Sequence, residues 1–352
     1  MTTQIYIVLY SLIFLFLFTL SLFCYISARR FVIARQERQN RKLRQAIESD
    51  LLATITAGEK SKWQITLQQY LRYPEIFTEV LLEFWQTLSG APREQLKNIF
   101  SFFLKEKYRQ EITAKRIIKR VKAAKAFVIF AEETDTPAII QLLNDNPLVK
   151  LATLSSLALN PQPQILESIF TSFLKESKAP LRYYFDLFTS MGKIIEPFVK
   201  KIIDQPLSEE KLSFLIELIG AIPLTSLYPE LLRLSTHSSK EIRVKTARAL
   251  GNLSLPLEEI IDTLLLMAED EAWEVKAQAL KSLGKLRPKK ALPLLAQALF
   301  SPYWYCRLNG AHALVQFGEK GLKTLRKIAQ QKKDPYAADM ARMILEEIVI
   351  TR

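Results

Sequence analysis

The chain is poor in the residues that carry most enzyme chemistry. It has two histidines and two cysteines among 352 residues. His237 and His312 fall in different segments, and no H-E-x-x-H is present, which removes the common zinc-hydrolase pattern. Cys24 and Cys306 form no C-x-x-C pair and are too few for a disulfide framework, as suits a reducing compartment. Glycine is scarce, with nine copies, and none of them builds a phosphate-cradling G-x-x-x-x-G-K or a G-x-S-x-G elbow. The acidic clusters Glu132–Glu133–Asp135 and Glu269–Asp270–Glu271 lack EF-hand spacing. They fall at helix ends, where carboxylates are solvated or satisfy helix N-termini. No catalytic residue, metal ligand or cofactor site is therefore assigned. Scarce glycine beside abundant Leu, Ile, Phe and Lys suits a helical protein.

A second absence is local: Met1 to Ala28 holds no charged side chain. Within it Ile5 to Ile26 is a mostly apolar run of 22 residues. As a helix it covers ~33 Å, enough for a hydrocarbon core about 30 Å thick. Tyr6, Tyr10 and Tyr25 lie near its ends, where amphipathic rings favour the interface. A cleaved signal peptide would have a basic segment ahead of a shorter apolar run, and Phe23 is too bulky to precede a lipoprotein Cys24. Residues 1–28 are therefore expected to be a retained transmembrane anchor. Behind it come Arg29, Arg30, Arg35, Arg38, Arg41, Lys42 and Arg44 against Glu37 alone, a net of +6 over residues 29–44. By the positive-inside rule this flank and all that follows lie in the cytoplasm, giving a single-pass protein of the inner membrane with its N-terminus outside. Each cation near the surface also adds about 1 kcal/mol of attraction to anionic lipid head groups. Residues 29–57 are expected to form a basic helical stalk broken by Gly58 and Glu59.

The chain's formal charge is +13, and it is uneven: residues 93–125 contribute +8, so everything outside the two basic stretches nets −1. Residues 58–135 are expected to be a helical cap, with helices at Ser61–Tyr73, Pro74–Ser89 and Pro92–Lys107, and Pro74 and Pro92 at helix starts. Trp63, Phe77, Trp85 and Phe100 are among its many aromatics. Between Glu111 and Ala131, Ile117, Val121, Ala124 and Val128 form one apolar stripe. Lys115, Arg116, Lys119, Arg120, Lys122 and Lys125 occupy the opposite arc with no acid among them. Such an arc is a solvated outer face, a membrane-facing surface, or a site for an acidic partner.

From residue 136 a period emerges. Val149, Leu181, Lys211, Ile242, Val275, Cys306 and Ala337 open seven related segments at spacings of 32, 30, 31, 33, 31 and 31. The clearest read IRVKTARALG, VKAQALKSLG and CRLNGAHALV, each an amphipathic helix, the first two closed by glycine. A second apolar segment precedes each copy, and Pro137, Pro197, Pro229 and Pro293 stand where those helices would start. Two helices per period of this length make an α-solenoid.

The aliphatic–basic pair followed by AxxAL-G resembles the HEAT repeat family in its short form. The resemblance implies an all-α, right-handed solenoid of helical hairpins over residues 136–352. It implies a protein-binding scaffold whose second helices line an extended face; with the expected anchor, the protein partner would be met at the membrane. It also implies a ladder in which the basic residue of each copy (Lys150, Arg182, Arg243, Lys276, Arg307) meets an acid from the preceding turn. Asp145 and Glu271 fit that ladder, whereas Ser177, Ser238 and Pro302 interrupt it and leave cations for partner contact. Trp273 and the turn Pro302, Tyr303, Trp304, Tyr305 occupy equivalent places in adjacent repeats, as hot-spot aromatics or as turn packing. Two alternatives resemble HEAT-like enzymes. One is a DNA glycosylase using the basic helix and Arg243 on phosphates with Trp273 or Trp304 near a base, against which the anchor argues. The other is a bilin lyase of phycobilisomes, for which no identifying pattern is present.

Overall fold

The computed structural model describes residues 2–57, 60–176 and 180–350, with the side chains of Tyr6, Tyr10 and Trp63 outside the description. Gly58, Glu59 and Ser177, on which the stalk break and one ladder gap rest, also lie outside the described residues. Every described element is helical, and the chain divides into two compact units, Met1–Thr134 and Asp135–Arg352.

The first unit opens on α1, Thr2–Ala57, a single unbroken helix. Where its apolar half is described, the side chains are exposed: Leu17, Phe18, Leu20, Leu22, Phe23 and Tyr25, and also Phe31, Val32 and Ile33 past the first arginines. The polar half is not a free stalk to its end, because Ile47 and Leu51 are fully buried. They pack with α2 (Lys60–Gln68) and α3 (Pro74–Thr87). The Tyr70 hydroxyl donates to Asp50 Oδ2 at 2.6 Å, and Arg44 pairs with Glu48 and Glu83. Then follow α4 (Ala91–Phe103), α5 (Lys105–Glu111) and α6 (Ile117–Ile129). The expected helix from Pro92 to Lys107 is thus split at Leu104, whose side chain turns into the core. The aromatics form that core: Phe100 stacks on Phe130 at 4.5 Å, and Trp85 meets Phe130 edge-on at 5.3 Å. Burial pushes the Tyr108 hydroxyl up to about 12, and it donates to Thr78 Oγ1 at 2.8 Å.

The second unit is seven helical pairs in chain order. They are α7 (Thr136–Leu143) with α8 (Pro147–Leu159), α9 (Leu166–Lys175) with α10 (Leu181–Met191), and α11 (Glu196–Ile203) with α12 (Glu209–Ala221). Next come α13 (Tyr228–Leu234) with α14 (Lys240–Leu253), and α15 (Glu258–Met267) with α16 (Trp273–Leu286). The last two are α17 (Leu292–Ala298) with α18 (Trp304–Val315), and α19 (Glu319–Gln330) with α20 (Pro335–Ile350). All seven register residues fall in the first turn of a second helix, and Pro137, Pro197, Pro229 and Pro293 open first helices as expected. Proline is tolerated there because the first-turn N–H has no intrahelical partner.

One expectation fails instructively. Gly251 and Gly284 do not close their helices: α14 runs on to Leu253 and α16 to Leu286. The left-handed caps are Ser254 and Arg287, with φ of 55° and 54°. The glycines instead sit where second helices cross. A Cβ on Gly251 would lie 2.6 Å from Ser282 Cβ, and one on Gly284 would lie 2.7 Å from Ala313 Cβ. Gly220 faces Ala249 in the same way. Glycine here lets α12, α14, α16 and α18 stack backbone against backbone. The earlier pairs use bulk: α10 has Ser190 at the equivalent place, and Phe170, Phe173, Phe188 and Phe214 form an aromatic nest around α9, α10 and α12. With phenylalanine at the crossing, α10 and α12 touch far less than the glycine-stacked pairs do.

Candidate functional site

Three features of the second unit bear on binding: the ladder, an aromatic cluster and a groove. The ladder runs opposite to expectation. Arg243 donates from Nε to Asp270 Oδ2 at 2.7 Å and from Nη2 to Asp270 Oδ1 at 2.9 Å, and it reaches the carbonyls of His237 and Ser238. Lys150 meets Glu176 at 2.8 Å. In both rungs the acid comes from the turn that follows, the one that opens the next second helix, and not from the turn before. Asp145 instead accepts from the Asn146 N–H, and Glu271 is a largely exposed secondary partner of Arg243 at 3.5 Å. Arg243 and Asp270 are about nine-tenths buried, so Arg243 is a staple between repeats and not an exposed cation for a partner. Burial opposes the Asp270 carboxylate, yet the Arg243 guanidinium and the Ala272 N–H outweigh it and hold its pKa below the ordinary carboxylate value.

Other ladder positions do different things. In the third pair Leu212 stands at the ladder position, and the preceding Lys211 spans to the Leu174 carbonyl over the Phe173 ring. Lys276 is half-buried near Asp270, Arg182 is exposed, and Arg307 turns to its own repeat, donating to the Pro302 carbonyl at 3.2 Å. Cys306 is buried, which raises its thiol pKa, and its Sγ donates to the Trp273 carbonyl. The His237 Nδ1 accepts the Ser239 N–H in a turn, and His312 is exposed on α18.

The aromatic residues do come together. Trp273 opens α16, and its ring stacks on Tyr303 at 5.9 Å and on Tyr305 at 5.5 Å, while Trp304 meets Tyr305 edge-on at 5.0 Å. Tyr303, Trp304 and Tyr305 remain about half exposed despite this packing. The reading from sequence missed Tyr336, which precedes the register residue of the last repeat as Tyr305 does in the one before. It is 71% exposed, with the Arg307 guanidinium 5.2 Å above its ring. Trp273, Tyr303, Trp304 and Tyr305 thus form one aromatic cluster at the starts of α16 and α18, and Tyr336 with the Arg307 cation over its ring stands at the start of α20.

The groove was not foreseen at all. It lies along α10, α12 and α14, with a volume of about 530 Å³ and an apolar floor of Leu181, Phe185 and Phe214. Phe185 and Phe214 stand edge to face at 6.1 Å, at the crossing that lacks glycine. Nothing local in the sequence announces it, because each wall comes from a different repeat.

In the first unit the basic zone is reshaped. The helix begins only at Ile117, so Lys115 and Arg116 lie in the turn before it and not on its polar arc. The apolar stripe is buried from Ala124 onward, but Ile117 is partly and Ile118 largely exposed. Arg120 folds back to the carbonyls of Ala114 and Lys115, and Lys122 sits 3.6 Å from Glu75. Lys119 stays exposed. On α1, Arg29, Arg30, Arg35, Arg38, Arg41 and Lys42 are exposed, whereas Arg44 is engaged with α3.

Paired helices stacked through their second members define the class as an α-solenoid, an architecture that presents long surfaces to protein partners. Residues 261–346, from α15 into α20, match the HEAT repeat family. No curated protein sequence matches the chain. Among solved structures, YibA of Escherichia coli is 16% identical over 74% of this chain and 98% of its own, with a TM-score of 0.43. The CpcE–CpcF complex of phycocyanin lyase from Nostoc is 15% identical over 69% and 94%, at 0.32. Kap121p bound to Pho4p is 11% identical over 86% and 41%, at 0.49. At such identities and scores these likenesses identify neither a partner nor a reaction.

Proposed function

We propose that this chain is a membrane-anchored scaffold that binds a protein partner through its HEAT solenoid on the cytoplasmic side. The observation that carries the binding half is the aromatic ridge of Trp273, Tyr303, Trp304, Tyr305 and Tyr336. Large rings are normally covered, and Tyr303, Trp304, Tyr305 and Tyr336 left exposed at neighbouring helix starts are what interface anchors look like. The ridge is also pre-organised, since ring-on-ring packing fixes the rotamers before any partner arrives. Lys276 and Arg307 border it; Lys115, Arg116, Lys119 and Lys122 offer a separate basic surface in the cap.

The anchoring half is supported by α1. Among the described residues, its apolar window from Leu17 is not buried by the rest of the chain, and water would penalise that much exposed Leu and Phe surface. Residues 1–28 would span, and the cationic residues from Arg29 to Lys42 would meet anionic head groups. The test is topology. In intact spheroplasts, protease should leave a C-terminal tag untouched and remove it only after membrane rupture. Deletion of residues 2–28 should shift the protein from the membrane pellet to the soluble fraction. Tag loss from intact spheroplasts would overturn the orientation, and a deletion that still pellets would overturn the anchor.

A further inference from the structure

We infer that the groove along α10, α12 and α14 is a binding site for a short basic peptide segment that carries an apolar anchor side chain. This deepens the scaffold reading and rests on it, by naming the chemistry of one thing the solenoid binds. The argument starts from the floor. Leu181, Phe185 and Phe214 line a cavity of about 530 Å³, within the range of pockets that enclose a ligand group. An apolar floor of that size has room for an aliphatic or aromatic side chain of the ligand.

The walls choose the sign of the ligand. Glu209, Glu210, Glu217 and Glu241 line the groove against Arg182 and Lys245, an excess of two negative charges. The two pairings at the rim make the imbalance directional. Lys245 is held by Glu217 at 3.2 Å, and Glu209 accepts from the Ser239 hydroxyl. Glu210 and Glu241 are both exposed and make no hydrogen bond or ion pair within 4 Å among the described residues, although Glu241 lies within electrostatic reach of Lys240. Those two carboxylates are therefore positioned to take cations from outside.

The surroundings agree. Residues 135–280 carry fourteen Lys and Arg against nineteen Asp and Glu, a net of −5, in a chain whose total is +13. The same field that attracts a basic segment repels nucleic acid and anionic lipid. A peptide is also favoured over a small cation, because the carboxylates surround an apolar floor instead of converging on one point. The walls are rigid helices, so the site pre-exists its ligand.

The experiment uses the full chain in detergent micelles and fluorescein-labelled peptide pools read by anisotropy. One pool carries Lys or Arg around a central Phe or Leu, a second replaces the central residue by Ala, and a third replaces the cations by Glu. The first pool is expected to bind with an affinity that falls as salt rises. The second should bind about tenfold more weakly and the third not at all. The variant Glu210→Gln/Glu241→Gln, both exposed positions, should weaken the first pool about tenfold with an unchanged melting curve. Trp304→Ala should leave that binding intact. Equal binding of all three pools, no binding of the first, or a glutamine variant that binds like wild type would each overturn the groove assignment. None of those results touches the aromatic ridge, whose own cross-linking test decides the scaffold reading.

Discussion

Replacing Gly284 by alanine is expected to destabilise the solenoid by about 3 kcal/mol, the upper end of what overpacking costs. Intrinsic propensity pulls the other way, since alanine in a helix interior is about 1 kcal/mol better than glycine. Contact geometry decides between them. The new Cβ would stand 2.7 Å from Ala313 Cβ and 2.8 Å from Ala313 Cα. Neither atom can rotate away, so α16 and α18 would have to separate. Gly251→Ala meets a similar obstacle at Ser282, whose hydroxyl donates to the Ala247 carbonyl at 2.7 Å and is fully buried. In a stacked array the loss should be local first. Hydrogen exchange on the Gly284→Ala protein should show protection falling in α16 and α18 before α8 and α10. A variant more stable than wild type would show that the crossing is looser than these distances.

The second large effect is expected at the Arg243–Asp270 staple. Arg243→Ala leaves the mostly buried Asp270 carboxylate without its guanidinium and removes a donor from the His237 and Ser238 carbonyls. Breaking one side of such a pair costs about 3 kcal/mol or more. Arg243→Lys should recover only part of it, because an ammonium cannot make the two parallel hydrogen bonds. The pH dependence has a definite sign. The folded-state pKa of Asp270 is depressed, so its contribution is complete above the unfolded value of about 3.9 and is lost as pH falls through the lower folded value. Urea unfolding of wild type and Asp270→Asn should therefore differ at neutral pH and converge in acid below about pH 4. A constant difference across that range would assign the staple's worth to packing alone.

Much of the frame was readable in the sequence, because the features that set it are local. Proline at a first helical turn and an apolar residue at the register position act within one hairpin, so the period from Val149 to Ala337 survives in one dimension. What escaped depends on contact between repeats. Gly251 and Gly284 looked like helix ends since glycine is common there. Their actual use, close approach to Ser282 and Ala313, belongs to the next helix over. The ladder was read with its acids one turn too early for the same reason: Asp270 serves Arg243 from the following repeat. The aromatic ridge was partly legible, since Trp273 and Trp304 share a repeat position, and Tyr336 was available by the same logic. The groove was not legible, because Phe185, Phe214 and Glu241 meet only when three repeats stack, with Ser190 on α10 where later repeats have glycine.

The most direct test of the scaffold is site-specific photo-cross-linking in living cells. A photoreactive residue at position 304 should give a discrete protein adduct in the membrane fraction, lost when Trp273 and Tyr336 are both changed to alanine. Removing such anchors typically costs 2 kcal/mol or more, about thirtyfold in affinity. The same probe at Leu266, 72% exposed on the first-helix row, should give no adduct. An adduct at 304 that depends on the ridge is the predicted result; none at 304, or the same adducts at both positions, would contradict it.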